Sequence, residues 1–170
     1  MGFFSRLMGG SDEQATATSE FEILAPVSGE LVHLENTNDP AFSSRAVGDG
    51  VAVVPQEGTV CAPVSGTVAA LFPTEHALGI MSDDSSAQVM LHIGIDTVKL
   101  EGKGFHALVA QDDHVDAGQP LVEVDFDAVR AAGFDPTVFV IVCERSENST
   151  LREHASGPVA VKEPVVWLSE

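Results

Sequence analysis

The pentapeptide APVSG occurs twice, at Ala25–Gly29 and again at Ala62–Gly66, and each copy runs straight into a strand-like segment, ELVHL in the first case and TVAAL in the second. Proline sets a turn, and glycine supplies an unusual backbone angle before the next strand. A turn-strand unit used twice predicts two related β layers packed on each other. The remainder from Phe21 onward agrees with this. Short runs such as GVAVV, ALGIMS, AQVMLHIGI, LVEVDF, TVFVIVC and EPVVWL are bounded by Gly, Pro, Asp and Ser. Ser82–Ser86 (SDDSS) fits a hairpin turn. Helix is scarce: FHALVAQ and DFDAVRAAGF are the candidates, with Gly133 fitting a helix C-terminus in the second. The expected fold is all-β, an antiparallel sandwich or barrel-like domain with few short helices.

Residues 1–20 are expected to form a flexible N-terminal segment, and residues 21–170 the folded domain. The stretch GGSDEQATATSE is small and polar, as a linker would be. Before it, Phe3, Phe4, Leu7 and Met8 fall at helical spacing, but Arg6 is the only cation near them, so at most weak membrane contact through residues 1–8 is expected. No apolar run approaches the ~18 residues that cross a bilayer, and the start is too short and weakly charged for a secretory signal. A cytoplasmic protein is expected.

The chain carries 8 Lys plus Arg against 26 Asp plus Glu, a formal charge of −18. Such a surface has nothing to replace the counterions of a phosphate backbone, which argues against nucleic acid. It favours encounter with a basic partner surface. There is no Gly-x-x-x-x-Gly-Lys phosphate cradle. Cys61 and Cys143 form no CxxC and are expected as core thiols. Ser149 stands where a phosphatase loop beginning at Cys143 would need arginine.

Within VMLHIGIDTV, His92 interrupts an apolar run, and strand alternation puts Met90, His92, Gly94 and Asp96 on one face. On a straight strand His92 and Asp96 would be about 13 Å apart, so Asp96 approaches only if the strand turns at Gly-Ile-Asp. Gly94 leaves room for another molecule to approach the imidazole. A hairpin centred near Asp84 sets His76 directly across from His92, with ~5 Å between Cβ atoms. Thr74, two residues before His76, is placed to hydrogen-bond that ring and set its tautomer. A neutral imidazole is a competent nucleophile for phosphoryl transfer, and a second ring can donate to the developing charge.

The segments HIGIDTVKLEGKGF (His92–Phe105), PTEHALGI and APVSGELVHLE with VGDGVAV resemble the glucose-family IIA component of the bacterial phosphoenolpyruvate-dependent sugar phosphotransferase system. The resemblance runs from about Phe21 to Trp167 and implies a β-sandwich built on a duplicated hybrid motif. It implies that His92 takes a phosphoryl group on Nε2 from the phosphocarrier protein HPr and passes it to a cysteine of a IIB domain, with sugar phosphorylation completed by IIB and IIC. His76 would stabilise the transferring group, and Thr74 would orient His76. Asp39 and Asp96 would flank the site, and Phe42, Phe72, Met90 and Val98 would belong to the partner-contacting surface. Regulatory protein partners are a further implication; no cofactor or metal is implied. Met90 stands where the family more often has phenylalanine, and Lys99 where an acidic residue is expected.

Two rivals share the β character. A zinc metallopeptidase of the related fold would use the His-x-x-x-Asp of HIGID, but it also needs a His-x-His and a third ligand, and no His-x-His occurs. HVDAGQPLVEVD resembles the turn-into-strand of lipoyl and biotinyl carriers, yet none of Lys99, Lys103 and Lys162 sits in the required hairpin motif.

Overall fold

The structure is a computed structural model that describes residues 20–56 and 58–170. The expected flexible segment and the spacing of Phe3, Phe4, Leu7 and Met8 therefore lie outside the described residues, except for Glu20. In chain order the strands are β1 (Phe21–Leu24), β2 (Gly29–His33), β3 (Asp49–Pro55), β4 (Thr59–Cys61), β5 (Gly66–Leu71), β6 (Ala77–Ser82), β7 (Ala87–Ile93), β8 (Phe105–Ala107), β9 (His114–Val115), β10 (Pro120–Val124), β11 (Val138–Arg145), β12 (Thr150–Glu153), β13 (Gly157–Val159) and β14 (Pro164–Ser169). Among the described residues two short α-helices accompany them, α1 (Pro40–Ser43) and α2 (Phe126–Ala131), with 3-10 turns at Leu34–Asn36 and Thr97–Leu100.

The two APVSG turns face each other. Leu24 N–H donates to the Pro63 carbonyl at 2.9 Å, and Cys61 N–H donates to the Pro26 carbonyl at 2.8 Å, so equivalent residues of the two copies exchange equivalent bonds. The serine hydroxyls also match: Ser28 Oγ accepts from Val161 N–H and Ser65 Oγ from Ala117 N–H. This reveals a second half to the repeat. Ala25 bonds to Lys162 and Glu163, and Ala62 bonds in the same sense to Gly118 and Gln119. The two partner segments, AGQP and VKEP, each open a strand, β10 and β14. The glycines of APVSG serve close approach rather than an unusual angle. A Cβ on Gly29 would run into the Val54 carbonyl oxygen, and one on Gly66 into that of Met81.

Strand pairing is antiparallel throughout. An eight-stranded sheet has the order β13-β2-β3-β11-β7-β6-β5-β9, and two three-stranded sheets have the orders β1-β14-β12 and β4-β10-β8. The main core fills the interior face of the large sheet with Val51, Val53, Leu78, Ile80, Leu91, Ile93, Val138 and Val140, packed against Ile23, Val60, Leu121 and Val165. Strand β11 lies between β3 and β7 and is apolar on both faces, as a central covered strand must be. Its outward residues Phe139 and Ile141 join Leu34, Phe42 and Ala52 in a second, smaller cluster on the opposite face. That cluster positions the site.

The hairpin at Ser82–Ser86 is present, and Asp84 organises it by accepting from Ser86 N–H and Ser82 Oγ. Of the two helix expectations, DFDAVRAAGF holds: Asp125 caps α2 by accepting from Ala128 N–H, and Gly133 ends the segment with φ 90°. FHALVAQ does not. Phe105–Ala107 pair with Val122–Val124 as an edge strand, which puts Phe105 in the core. No helix among the described residues is long and apolar enough to cross a membrane.

Candidate functional site

His92 lies near the end of β7, on the outward face, while Val89, Leu91 and Ile93 point into the core. Its ladder neighbours are Ala77 on β6 and Phe139 on β11. The register thus differs by one residue from a hairpin centred on Asp84. The connection has four residues, Asp83–Ser86, which puts Ala77 rather than His76 across from His92. The histidines meet nonetheless. His76 lies in the loop between β5 and β6, where Glu75 takes a left-handed conformation with φ 62° and the chain turns before entering β6. The two rings stand edge to face, centroids 5.1 Å apart and planes at 86°.

Each ring is held through its Nδ1. His92 Nδ1 donates to the Gly94 carbonyl at 2.8 Å. A carbonyl only accepts, so Nδ1 carries the proton and Nε2 of the neutral ring is left with its lone pair. His76 Nδ1 pairs with Thr74 Oγ1 at 2.6 Å. Thr74 and His76 share a turn and not one face of a strand, but the expected bond is formed.

Gly94 has a different part from the one expected. It does not open an approach to His92; its φ of 82° turns the chain so that its carbonyl faces back to the ring, and a Cβ there would collide with the Thr97 side chain. The strand ends at Ile93, and Asp96 follows with φ 61°. This turn brings the Asp96 carboxylate close enough to act on His92 electrostatically, as does Asp39 from the start of α1. Asp39 caps that helix, its Oδ1 accepting from Ala41 N–H at 2.9 Å.

Phe42, expected on the partner-contacting surface, is only 5% exposed and packs beneath the site. It stacks on Phe139, centroids 4.3 Å apart, and its ring lies 5.2 Å from that of His92. Its amphipathic surroundings explain this, since α1 must bury its one large apolar side chain somewhere, and the outward face of β11 offers Phe139. Phe139 itself was not singled out in the sequence, because TVFVIVC reads as an undifferentiated core strand. Met90 is half-buried and packs against the same small cluster. Phe72 and Val98 are exposed, at 47% and 49%, and Phe72 touches His76 edge-on with centroids 5.5 Å apart. Lys99 is exposed beside Val98.

The environment favours the neutral form of both rings. Burial lowers the His92 pKa below its ordinary value, against the opposing pull of the Gly94 carbonyl, Asp39 and Asp96. Burial, and then the neighbouring His92, pushes His76 down to about 4. The set of ligands that a zinc peptidase requires is not assembled. No group of three or more His, Cys, Asp or Glu placed to hold a metal ion occurs among the described residues. Of the other histidines, His106 and His114 are exposed, whereas His33 and His154 are half-buried and His33 bonds the His154 carbonyl at 3.0 Å.

A doubled antiparallel β-sandwich with two edge-to-face imidazoles, one against Phe42 and the other against Phe72, defines a class of small histidine-bearing domain. Residues 21–148 match the family described as phosphoenolpyruvate-dependent sugar phosphotransferase system, EIIA 1, and the chain belongs to that family. It is 39% identical to the Bacillus subtilis PTS system beta-glucoside-specific EIIBCA component, over 99% of this chain and 28% of that protein. It is 41% identical to the Streptococcus pneumoniae PTS system glucose-specific EIICBA component, over 85% of this chain and 20% of that protein. The chain thus spans about a quarter of the length of these curated relatives. Among solved structures, glucose permease IIA from Mycoplasma capricolum matches with a TM-score of 0.80 and 35% identity, over 88% of this chain and 96% of that one. The β-sandwich fold expected from the sequence is therefore the fold of the family.

Proposed function

We propose that this chain is a phosphoryl carrier in sugar uptake, with His92 as the residue that is transiently phosphorylated. The observation that carries the reading is the bond from His92 Nδ1–H to the Gly94 carbonyl, which leaves the lone pair on Nε2. Nε2 attacks phosphorus, an N–P bond forms, and the bond between phosphorus and the donor group breaks. The proton on Nδ1 stays in place. As the ring gives up electron density it gains positive charge, which the Gly94 carbonyl and the nearby Asp39 and Asp96 stabilise. The same carboxylates repel the phosphoryl oxygens, so the group remains transferable.

His76 supplies the complementary contact. With the Thr74 hydroxyl donating to Nδ1, its Nε2–H is left to donate to a phosphoryl oxygen in transit. The donor is HPr, and the acceptor is a cysteine of a IIB domain. A IIB acceptor is supported by relatives that are named EIIBCA or EIICBA components. Phe72 and Val98 form the exposed apolar contact for both, with the acidic surface drawing in a basic donor. A cytoplasmic location would suit a carrier fed from phosphoenolpyruvate, and regulatory partners would use the same face.

Incubation with phosphoenolpyruvate, enzyme I and HPr tests the reading. The wild-type chain is expected to acquire one acid-labile phosphoryl group by intact mass, and His92→Ala none. Label on any other residue, or label retained in His92→Ala, defeats the proposal.

A further inference from the structure

The bond that fixes the His92 tautomer ends on a glycine carbonyl, and that carbonyl is itself held in place. Gly94 N–H donates to the Thr137 carbonyl at 2.8 Å, and Ile95 N–H donates to the Asp135 carbonyl at 2.9 Å. The Asp135 side chain locks this receiving segment. Its Oδ1 accepts from Thr137 N–H at 2.9 Å and from Thr137 Oγ1 at 2.6 Å. Its Oδ2 accepts from Asn38 Nδ2 at 3.1 Å, and Asn38 is the residue before Asp39. One residue therefore joins three segments: the turn after β7, the entry to β11, and the loop that leads into α1.

We propose that Asp135 is a positioning residue for His92, tying the Gly94 turn that receives the Nδ1 proton to the loop that carries Asp39 and Phe42. The consequence for phosphoryl transfer rests on the reading of His92 given above; the consequence for the tautomer does not. Nothing in GFDPTV marks this role in the sequence, since Asp-Pro reads as an ordinary turn. The carboxylate oxygens face the two loops and make no bond to either imidazole, so Asp135 acts through the backbone it organises. Hydrogen-bonded partners behind a reacting group commonly fix its orientation in this way.

Solution NMR of the unphosphorylated protein tests the claim. In the wild type, ring nitrogen shifts should report a single Nδ1-protonated tautomer of His92 with a slowly exchanging Nδ1 proton. Asp135→Ala should give mixed tautomers and rapid exchange of that proton, with acceptance of phosphoryl from HPr slowed about tenfold. Asp135→Asn keeps an oxygen for Thr137 and should restore the single tautomer. A folded Asp135→Ala protein with the wild-type His92 signals would overturn the proposal and leave Asp135 a merely structural residue. If Asp135→Ala does not fold, Thr137→Val, which removes one of the donors to the carboxylate, decides by the same signals. A wild type that takes up no phosphoryl group would defeat the functional reading while leaving the tautomer comparison intact.

Discussion

The turn after His92 and the turn before His76 solve one problem in two ways. Both lie at the same end of the β6–β7 hairpin, both use left-handed backbone, and both fix an imidazole through Nδ1. The partners differ. A backbone carbonyl has no proton to give, so His92 has one permitted neutral tautomer. A hydroxyl can donate or accept, so His76 can change roles as charge moves across the pair. A nucleophile needs the first arrangement, and a group that answers the charge on a transferring phosphoryl needs the second. The His92 turn is also built into the sheet through Gly94, whereas the His76 turn is a loop with Thr74 and Glu75 only half-buried.

That contrast breaks most visibly at His76. In His76→Gln, His92 should still take phosphoryl from HPr, but onward transfer to a IIB cysteine should fall by about 10²–10³, the scale of losing one donor to a developing oxyanion. Rapid-quench measurement of both half-reactions checks this; equal losses in the two would erase the division of labour. Gly94→Ala probes the other turn. An added Cβ strains the φ of 82° and meets the Thr97 side chain, so urea unfolding should show a loss of about 3 kcal/mol. A loss below about 1 kcal/mol would mean that the turn relaxes.

The titration of His76 gives a third separation. Its folded pKa of about 4 lies below the unfolded value of about 6.5, so the unfolded chain binds more protons between those limits. Stability from this group is full above pH ~6.5 and is lost as pH falls through about 4, by about 3 kcal/mol at most. Urea unfolding from pH 7 to pH 4 should therefore have a shallower pH dependence in His76→Gln than in the wild type. Parallel curves would place the protonation elsewhere. The smallest effect is expected for Thr74→Val, which leaves the His76 ring in place but removes the bond to Nδ1. Onward transfer should slow about tenfold, equivalent to about 1.4 kcal/mol, with no change in phosphoryl acceptance.

Much of the frame was legible. APVSG announced the duplication, and the alternation through VMLHI placed His92 on the face opposite its chain neighbours. The partner half of the repeat escaped notice because AGQP and VKEP share only proline; their equivalence lies in backbone bonds that any side chain permits. Pairing of the histidines was foreseen from a hairpin whose register was wrong by one residue. The rings meet because the backbone at Glu75 turns over, which compensates for the slip. Phe42 read as a surface aromatic until its stacking partner, Phe139, arrived from a strand far along the chain.

The sequence by itself determined the doubled β frame, the acidic surface, and the two histidines with Thr74 as their companions, because those follow from local periodicity, turn chemistry and charge. Only the tertiary structure decided which nitrogen of His92 is free, that Gly94 serves as an acceptor, and that Phe42, Phe139 and Asp135 back the site. Those features depend on hydrogen bonds and packing between segments distant in the chain, and short-range patterns carry no record of which distant groups will face one another.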